Sequence, residues 1–188
     1  NMAHEKDMTS KKLEDYTDVF ADILNVLLFH KNLLKPELLK SGPTTSIYKT
    51  DVQTLNDQRR DTLKDYMDES RFLIASIGIE NQSTIQKIMP IRIMGYDYGS
   101  YRQQLSDNVS FLRPVITIVL NFSMKRWTSG KSLHEILKIP KELKPYVQDY
   151  KIYVFDIAFL DDDVINTFTS DFKAVARFFR QKRLNSKE

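Results

Sequence analysis

The sequence predicts an α/β domain in which a mixed sheet of about four or five strands is flanked by helices. Three observations carry that prediction: an apolar stripe at helical spacing near the start, several short runs rich in β-branched and apolar residues, and a return to helical spacing between and after them. The chain of 188 residues is 41% hydrophobic and 11% aromatic, which is enough for one substantial core, so a single domain is expected over residues 13–183. Residues 1–12 read as a polar N-terminal segment, in which Asn1 precedes Met2 as a one-residue tag scar would. Residues 184–188 read as a charged tail where a longer protein could have been cut.

Leu13, Tyr16, Phe20, Ile23, Leu24, Leu27 and Leu28 step by three and four, which puts one apolar stripe on a first helix ending near His30 to Asn32. Pro36 and the Ser41-Gly42-Pro43 cluster punctuate the segment beyond it. Three strands are expected next, over 47–54, 61–67 and 72–79, the last being dense in apolar and β-branched types. A helical period then returns, with Ile85, Ile88, Met89, Arg92, Ile93 and Tyr96 along one side and Pro90 near its opening. Residues 113–122 read as a strand covered on both faces, and 151–160 as another. The tail from 161 to 183 reads as one helix. Phe172, Val175, Ala176 and Phe179 point inward and Lys173, Arg177, Arg180 and Arg183 outward. Asp161, Asp162 and Asp163 suit its first turn, where carboxylates meet the positive end of the helix dipole.

Composition removes several chemistries. With no cysteine, a disulfide framework, Cys-ligated zinc and a thiol nucleophile are all excluded, and a reducing, cytoplasmic setting is expected. The longest apolar run, 115–122, is broken by Thr117 and Asn121 and falls far short of a membrane span. Lys and Arg number 28 against 25 Asp and Glu, a net charge of +3 that permits nucleic acid as a partner without demanding it. His4, His30 and His134 have no visible triad partners, and the five glycines never form a phosphate-cradling loop, so no nucleotide cofactor is expected.

Carboxylates remain. In Ile79-Glu80-Asn81-Gln82 the alternation of a strand places Glu80 and Gln82 on one face. Asp61 opens the preceding expected strand, and antiparallel pairing could bring it beside Glu80. Two carboxylates together suit Mg²⁺, which takes one or two of them along with water and phosphate oxygens.

Arg60-Asp61, Ile79-Glu80-Asn81-Gln82-Ser83, Met89-Pro90-Ile91-Arg92 with Tyr96, the run 114–120 and Trp127 together resemble the Rpn family. These recombination-promoting nucleases, often called transposases, fall within the PD-(D/E)XK superfamily. The likeness runs from the first helix to about Phe179, and the opening Met2 to Met8 resembles that of a bacterial subgroup. The resemblance implies a metal-dependent DNA endonuclease that hydrolyses phosphodiester bonds. Its Mg²⁺, with Mn²⁺ or Ca²⁺ as alternatives, would be held by Asp61, Glu80 and the backbone carbonyl of Asn81. It further implies that Gln82 stands where many relatives have Lys, leaving Lys64, Lys87 or Arg92 to supply positive charge. A first-helix acid often joins such sites; of Asp15, Asp18 and Asp22, Asp22 flanks the stripe. Arg60, Arg92 and Tyr96 would bind DNA or support the site. The partners implied are DNA and a second copy of the chain, with roles in recombination, mobile elements or phage defence.

Each sign has a plain alternative. Asp61 could pair with Arg59 or Arg60, and Glu80 and Gln82 could be ordinary strand-end residues; the joint occurrence favours the nuclease. Trp127 beside Lys125 and Arg126 reads as a packing plug, and the basic side of the last helix as a solvated face. The competing function is an inactive nuclease-fold module that binds DNA or a protein partner. A third reading, a transposase that joins strands, has no separate sign in the sequence.

Overall fold

The computed structural model describes residues 13–42, 61–71 and 73–186, together with the backbone of 45–46 and 58–59. The strand expected over 47–54 and the site residue Arg60 lie outside the described residues. At the centre is a five-stranded sheet ordered β1 (Leu39–Ser41), β4 (Thr62–Met67), β5 (Leu73–Gln82), β6 (Val115–Asn121) and β7 (Tyr153–Asp156). A separate antiparallel ribbon pairs β2 (Thr45–Ser46) with β3 (Gln58–Arg59). β1, β4 and β5 run antiparallel, whereas β5, β6 and β7 run parallel, so the sheet is mixed as expected. Neighbouring parallel strands require a crossover, and α2 (Met89–Ser106) supplies it between β5 and β6. Pro90 lies in the first turn of α2, where its missing N–H costs no hydrogen bond.

Alternation along β5 gives the sheet two different faces. Ala75, Ile77 and Ile79 join the larger core with Ile118, Leu120, α1 (Thr17–Leu24) and α5 (Phe172–Asn185). The other face is covered by α2 over a smaller core of Met89, Ile93, Tyr96, Val119, Trp127 and Ile152. Trp127 is 1% exposed and is the expected plug. Asp97 ties α2 down by accepting hydrogen bonds from Thr117 Oγ1 at 2.6 Å and from the Tyr150 hydroxyl.

Both ends of the chain depart from the expected single helices. Leu13 and Glu14 are helical, the chain turns at Asp15 and Tyr16, and α1 then gives way to a π-helical turn over Asn25–Phe29. Lys64 Nζ donates to the Asp15 carbonyl at 2.8 Å, satisfying an acceptor that the break releases. The wider turn starts at Asn25. The side chain of this buried residue accepts from Leu33 N and Leu34 N at 3.0 and 2.8 Å and so binds the following loop to the helix. His30 then ends the element in the left-handed region at φ 53.

Beyond the short α3 (Leu133–Ile136), the tail forms α4 (Asp162–Thr167), with Asp162 and Asp163 in its first turn as expected, and then α5 after a break. Phe168 is completely buried at that break and stacks edge-on against Phe172, so core packing overrides helical continuity. Arg180 and Arg183, expected on a solvated face, are half-buried and donate to the carbonyls of Leu160 and Ala158 at 2.7 and 2.6 Å. Strand β7 is shorter than expected because Ile157–Phe159 coil into a 3-10 turn that buries Ile157 and Ala158. No helix among the described residues is long and apolar enough to cross a membrane.

Candidate functional site

The end of β5 delivers Glu80 and Gln82 to the α2 face, in step with Ser76 and Gly78. Glu80 is 3% exposed, and a carboxylate so buried needs compensation worth several kcal/mol. Three side chains supply donors to its Oε1: Gln82 Nε2 at 2.9 Å, Arg92 Nη2 at 3.1 Å and the Tyr96 hydroxyl at 3.4 Å. Arg92 and Tyr96 sit one turn apart on α2, so a single helix face presents both to the strand end. The guanidinium is itself held, with Nη1 donating to Gln86 Oε1 at 2.7 Å and Nη2 to the Tyr96 hydroxyl at 2.9 Å.

Burial, and next the charge of Glu80, push the Tyr96 hydroxyl above its ordinary pKa, with Arg92 pulling the other way. Tyr96 therefore keeps its proton at neutral pH and remains a donor.

Asp61 comes to the same strand end by register. The β4–β5 ladder closes on Thr62 opposite Ile79, so one further step sets Asp61 across from Glu80. Its Oδ2 accepts from Asn81 N at 2.7 Å. The Asn81 side chain points to the α1 side, where its Nδ2 donates to Oε2 of Glu14 at 3.0 Å; Glu14 is fully buried. Asn81 Oδ1 is buried with no hydrogen-bond partner among the described residues.

Asp22 does not join this group. Its Oδ2 accepts from Thr169 N, Ser170 N and Ser170 Oγ at 3.0, 2.8 and 2.6 Å, fixing the break before α5. Glu14 is the first-helix acid that reaches the strand end, and the sequence pattern does not single it out. A continuous helix through Asp15 and Tyr16 gives the wrong phase for everything before them, and a bond to Asn81 leaves no local signal. Of the cations considered as substitutes, Arg92 contacts Glu80. Lys64 is 2% exposed on the α1 side, bonded to the Asp15 carbonyl, and burial lowers its pKa.

The donors near Glu80 are oxygens and amides, a set that suits a hard cation better than zinc or copper. Asp61 and Glu80 supply two carboxylates at one strand end, a set that fits a magnesium ion completed by water and substrate oxygens. Among the described residues no three His, Cys, Asp or Glu are close enough together to hold a metal by themselves.

A protein family described as "Putative transposase, YhgA-like" matches residues 76–186, a span that includes Glu80, Asn81, Gln82, Arg92 and Tyr96 and leaves Glu14 and Asp61 outside. No curated protein and no solved structure matches the chain.

Proposed function

The chain belongs to the YhgA-like putative transposase family, and from that premise we propose that it is a metal-dependent DNA endonuclease of the Rpn type with a PD-(D/E)XK-like core. Family membership links it to mobile elements, whose chemistry requires phosphodiester cleavage. The observation that carries the narrower reading is Glu80: a buried carboxylate at a strand end, opposite Asp61 and held by Gln82, Arg92 and Tyr96, side chains within the matched span. A carboxylate needed only for structure is more economically satisfied by backbone groups.

Asp61 and Glu80 would hold the ion, with the Asn81 carbonyl as a further ligand and Glu14 bracing the Asn81 side chain in place of Asp22. When bound, Mg²⁺ polarises a phosphate and lowers the pKa of a coordinated water. The rest is work for the chain's own groups. Gln82 fixes the Glu80 carboxylate through Nε2 and leaves its amide oxygen to orient a water. Arg92, one-third exposed, keeps a permanent positive charge beside Glu80 and faces an arriving phosphate. Tyr96, protonated at neutral pH, holds Arg92 and Glu80 in register. Cutting both strands of a duplex with one site per chain calls for a homodimer whose two-fold axis matches that of the substrate.

Supercoiled plasmid incubated with Mg²⁺ or with EDTA tests the proposal. Cleavage should require the metal, and Asp61→Ala or Glu80→Ala should slow it by at least about 100-fold, the scale on which one preorganised electrostatic group counts. Undiminished cutting by a folded Glu80→Ala chain would reject the site.

A further inference from the structure

Strands β5 and β6 end together: Gln82 pairs with Asn121, and Phe122 N donates to the Gln82 carbonyl at 2.8 Å. The turn after Asn121 therefore leaves the sheet at the same end as Glu80. Asn121 is completely buried and organises that turn. Its Nδ2 donates to the Lys125 carbonyl and to Asp156 Oδ1, both at 2.8 Å, and its Oδ1 accepts from Ser123 N at 3.1 Å. Asp156 Oδ1 also accepts from Trp127 N at 3.0 Å, so the turn is pinned on both sides. The two exposed residues it presents, Lys125 and Arg126, are both cations.

Arg126 shares an aromatic platform with a second arginine. The guanidinium groups of Arg126 and Arg183 each lie 4.5 Å from the centroid of the Phe159 ring, so twice that distance, about 9 Å, is the most that can separate them. Arg183 is anchored by Nε donating to the Ala158 carbonyl at 2.6 Å, and Phe159 packs against the large core. Neither arginine forms an ion pair among the described residues, whereas Arg180 alongside is paired with Asp162 at 3.1 Å. A cation–π contact at the surface holds each guanidinium only weakly, and two like charges on one ring repel each other. An anion bridging both relieves that repulsion without further ordering of either side chain.

We propose that Arg126 and Arg183, held on Phe159 and flanked by Lys125, grip the phosphate backbone of duplex DNA and set its path toward Glu80. Phosphates recur every ~3.4 Å of axis along one strand, so a pair of guanidiniums up to about 9 Å apart spans neighbouring phosphates. The proposal rests on the DNA reading above and adds the place where the substrate is held outside the reacting groups. It also explains why Arg183, on a helix whose basic side reads as solvated, is fixed to a backbone carbonyl rather than left in water.

A fluorescein-labelled duplex of about 20 bp, followed by anisotropy in EDTA over roughly 50–200 mM salt, tests the clamp without cleavage. The double variant Arg126→Ala with Arg183→Ala should bind about tenfold more weakly, with the slope of log affinity against log salt smaller by about 2, close to 0.9 for each phosphate no longer neutralised. Arg126→Lys with Arg183→Lys should regain the slope, which a purely structural role would not predict, and it serves as the readout should the alanine pair melt early. Unchanged affinity and slope, or a parent chain that does not bind the duplex, would overturn the clamp. Binding that follows the expected pattern while plasmid stays uncut in Mg²⁺ would uphold the clamp and reject the nuclease reading. Cutting that is equally fast in the double variant at every salt concentration would do the reverse.

Discussion

Asp22 and Glu80 are both buried carboxylates, at 9% and 3% exposure, on opposite faces of one sheet, and they are satisfied by different kinds of group. Asp22 receives two backbone N–H groups and a serine hydroxyl at the start of α5, partners fixed by the fold itself. Glu80 receives an amide, a guanidinium and a phenol, all on side chains that can rotate away when something else takes the oxygen. The first arrangement joins two parts of the chain 147 residues apart. On the function proposed above, the second holds a charge ready for exchange. Burial alone does not separate a structural acid from a chemical one; the identity of its partners does.

The contrast is broken most directly by removing each acid. Asp22→Ala leaves the Thr169 and Ser170 amides without their acceptor and frees the break between α4 and α5, at a cost of about 2–4 kcal/mol. For a chain of this length that corresponds to a fall in melting temperature of roughly 5–15 °C. Glu80→Gln keeps an acceptor for Gln82 and removes a desolvated charge, so its stability should stay within about 1 kcal/mol of the parent. Parallel thermal melts decide the matter: an equal loss in both variants would make Glu80 a structural acid like Asp22.

Gln82→Lys probes the other side of the contrast with a smaller effect. A lysine ammonium can keep the 2.9 Å contact to Glu80 Oε1 and bring the positive charge that the amide lacks. Plasmid cleavage should rise several-fold, up to about tenfold, equivalent to about 1.4 kcal/mol of barrier. A drop in rate would mean that Arg92 already supplies the charge and that a second cation displaces it. An unchanged rate would mean that position 82 does not tune the site at all.

The sheet is legible in the sequence because it depends on local pattern. Runs dense in apolar and β-branched residues mark β5 and β6, Pro90 marks the opening of α2, and Glu80 with Gln82 follows from alternation alone. The antiparallel approach of Asp61 to Glu80 is legible as well, since it needs only a register between consecutive strands. β1 escapes notice because Leu39–Ser41 is too short to show a period and is specified by its partner Tyr66. Helical spacing points to Asp22 and passes over Glu14 because the places of both depend on contacts made across the fold after a helix break. A pattern that assumes an unbroken helix cannot anticipate such contacts. The Arg126–Phe159–Arg183 stack is invisible for a related reason: its three members come from a turn, a 3-10 segment and a helix.

Lys64 tests whether the α1 face truly neutralises its charges through the backbone, and it does so with the smallest signal. Its ammonium is buried beside the Phe20 ring with one carbonyl as acceptor, and desolvation lowers its pKa in the folded chain. Below its lowered folded-state pKa the ammonium is charged in both folded and unfolded states, and there the cost of burying the charge is fully present. As pH rises toward the ordinary lysine range the folded chain releases this proton first, the unfolded chain then carries more protons, and stability must increase. The parent should therefore gain urea resistance relative to Lys64→Met as pH rises toward the ordinary lysine value. Differences between the two chains cancel the titration of every other lysine and tyrosine. If the two track each other across that range, the Asp15 carbonyl compensates the charge completely, and the α1 face is as well matched to its buried cation as it is to Asp22.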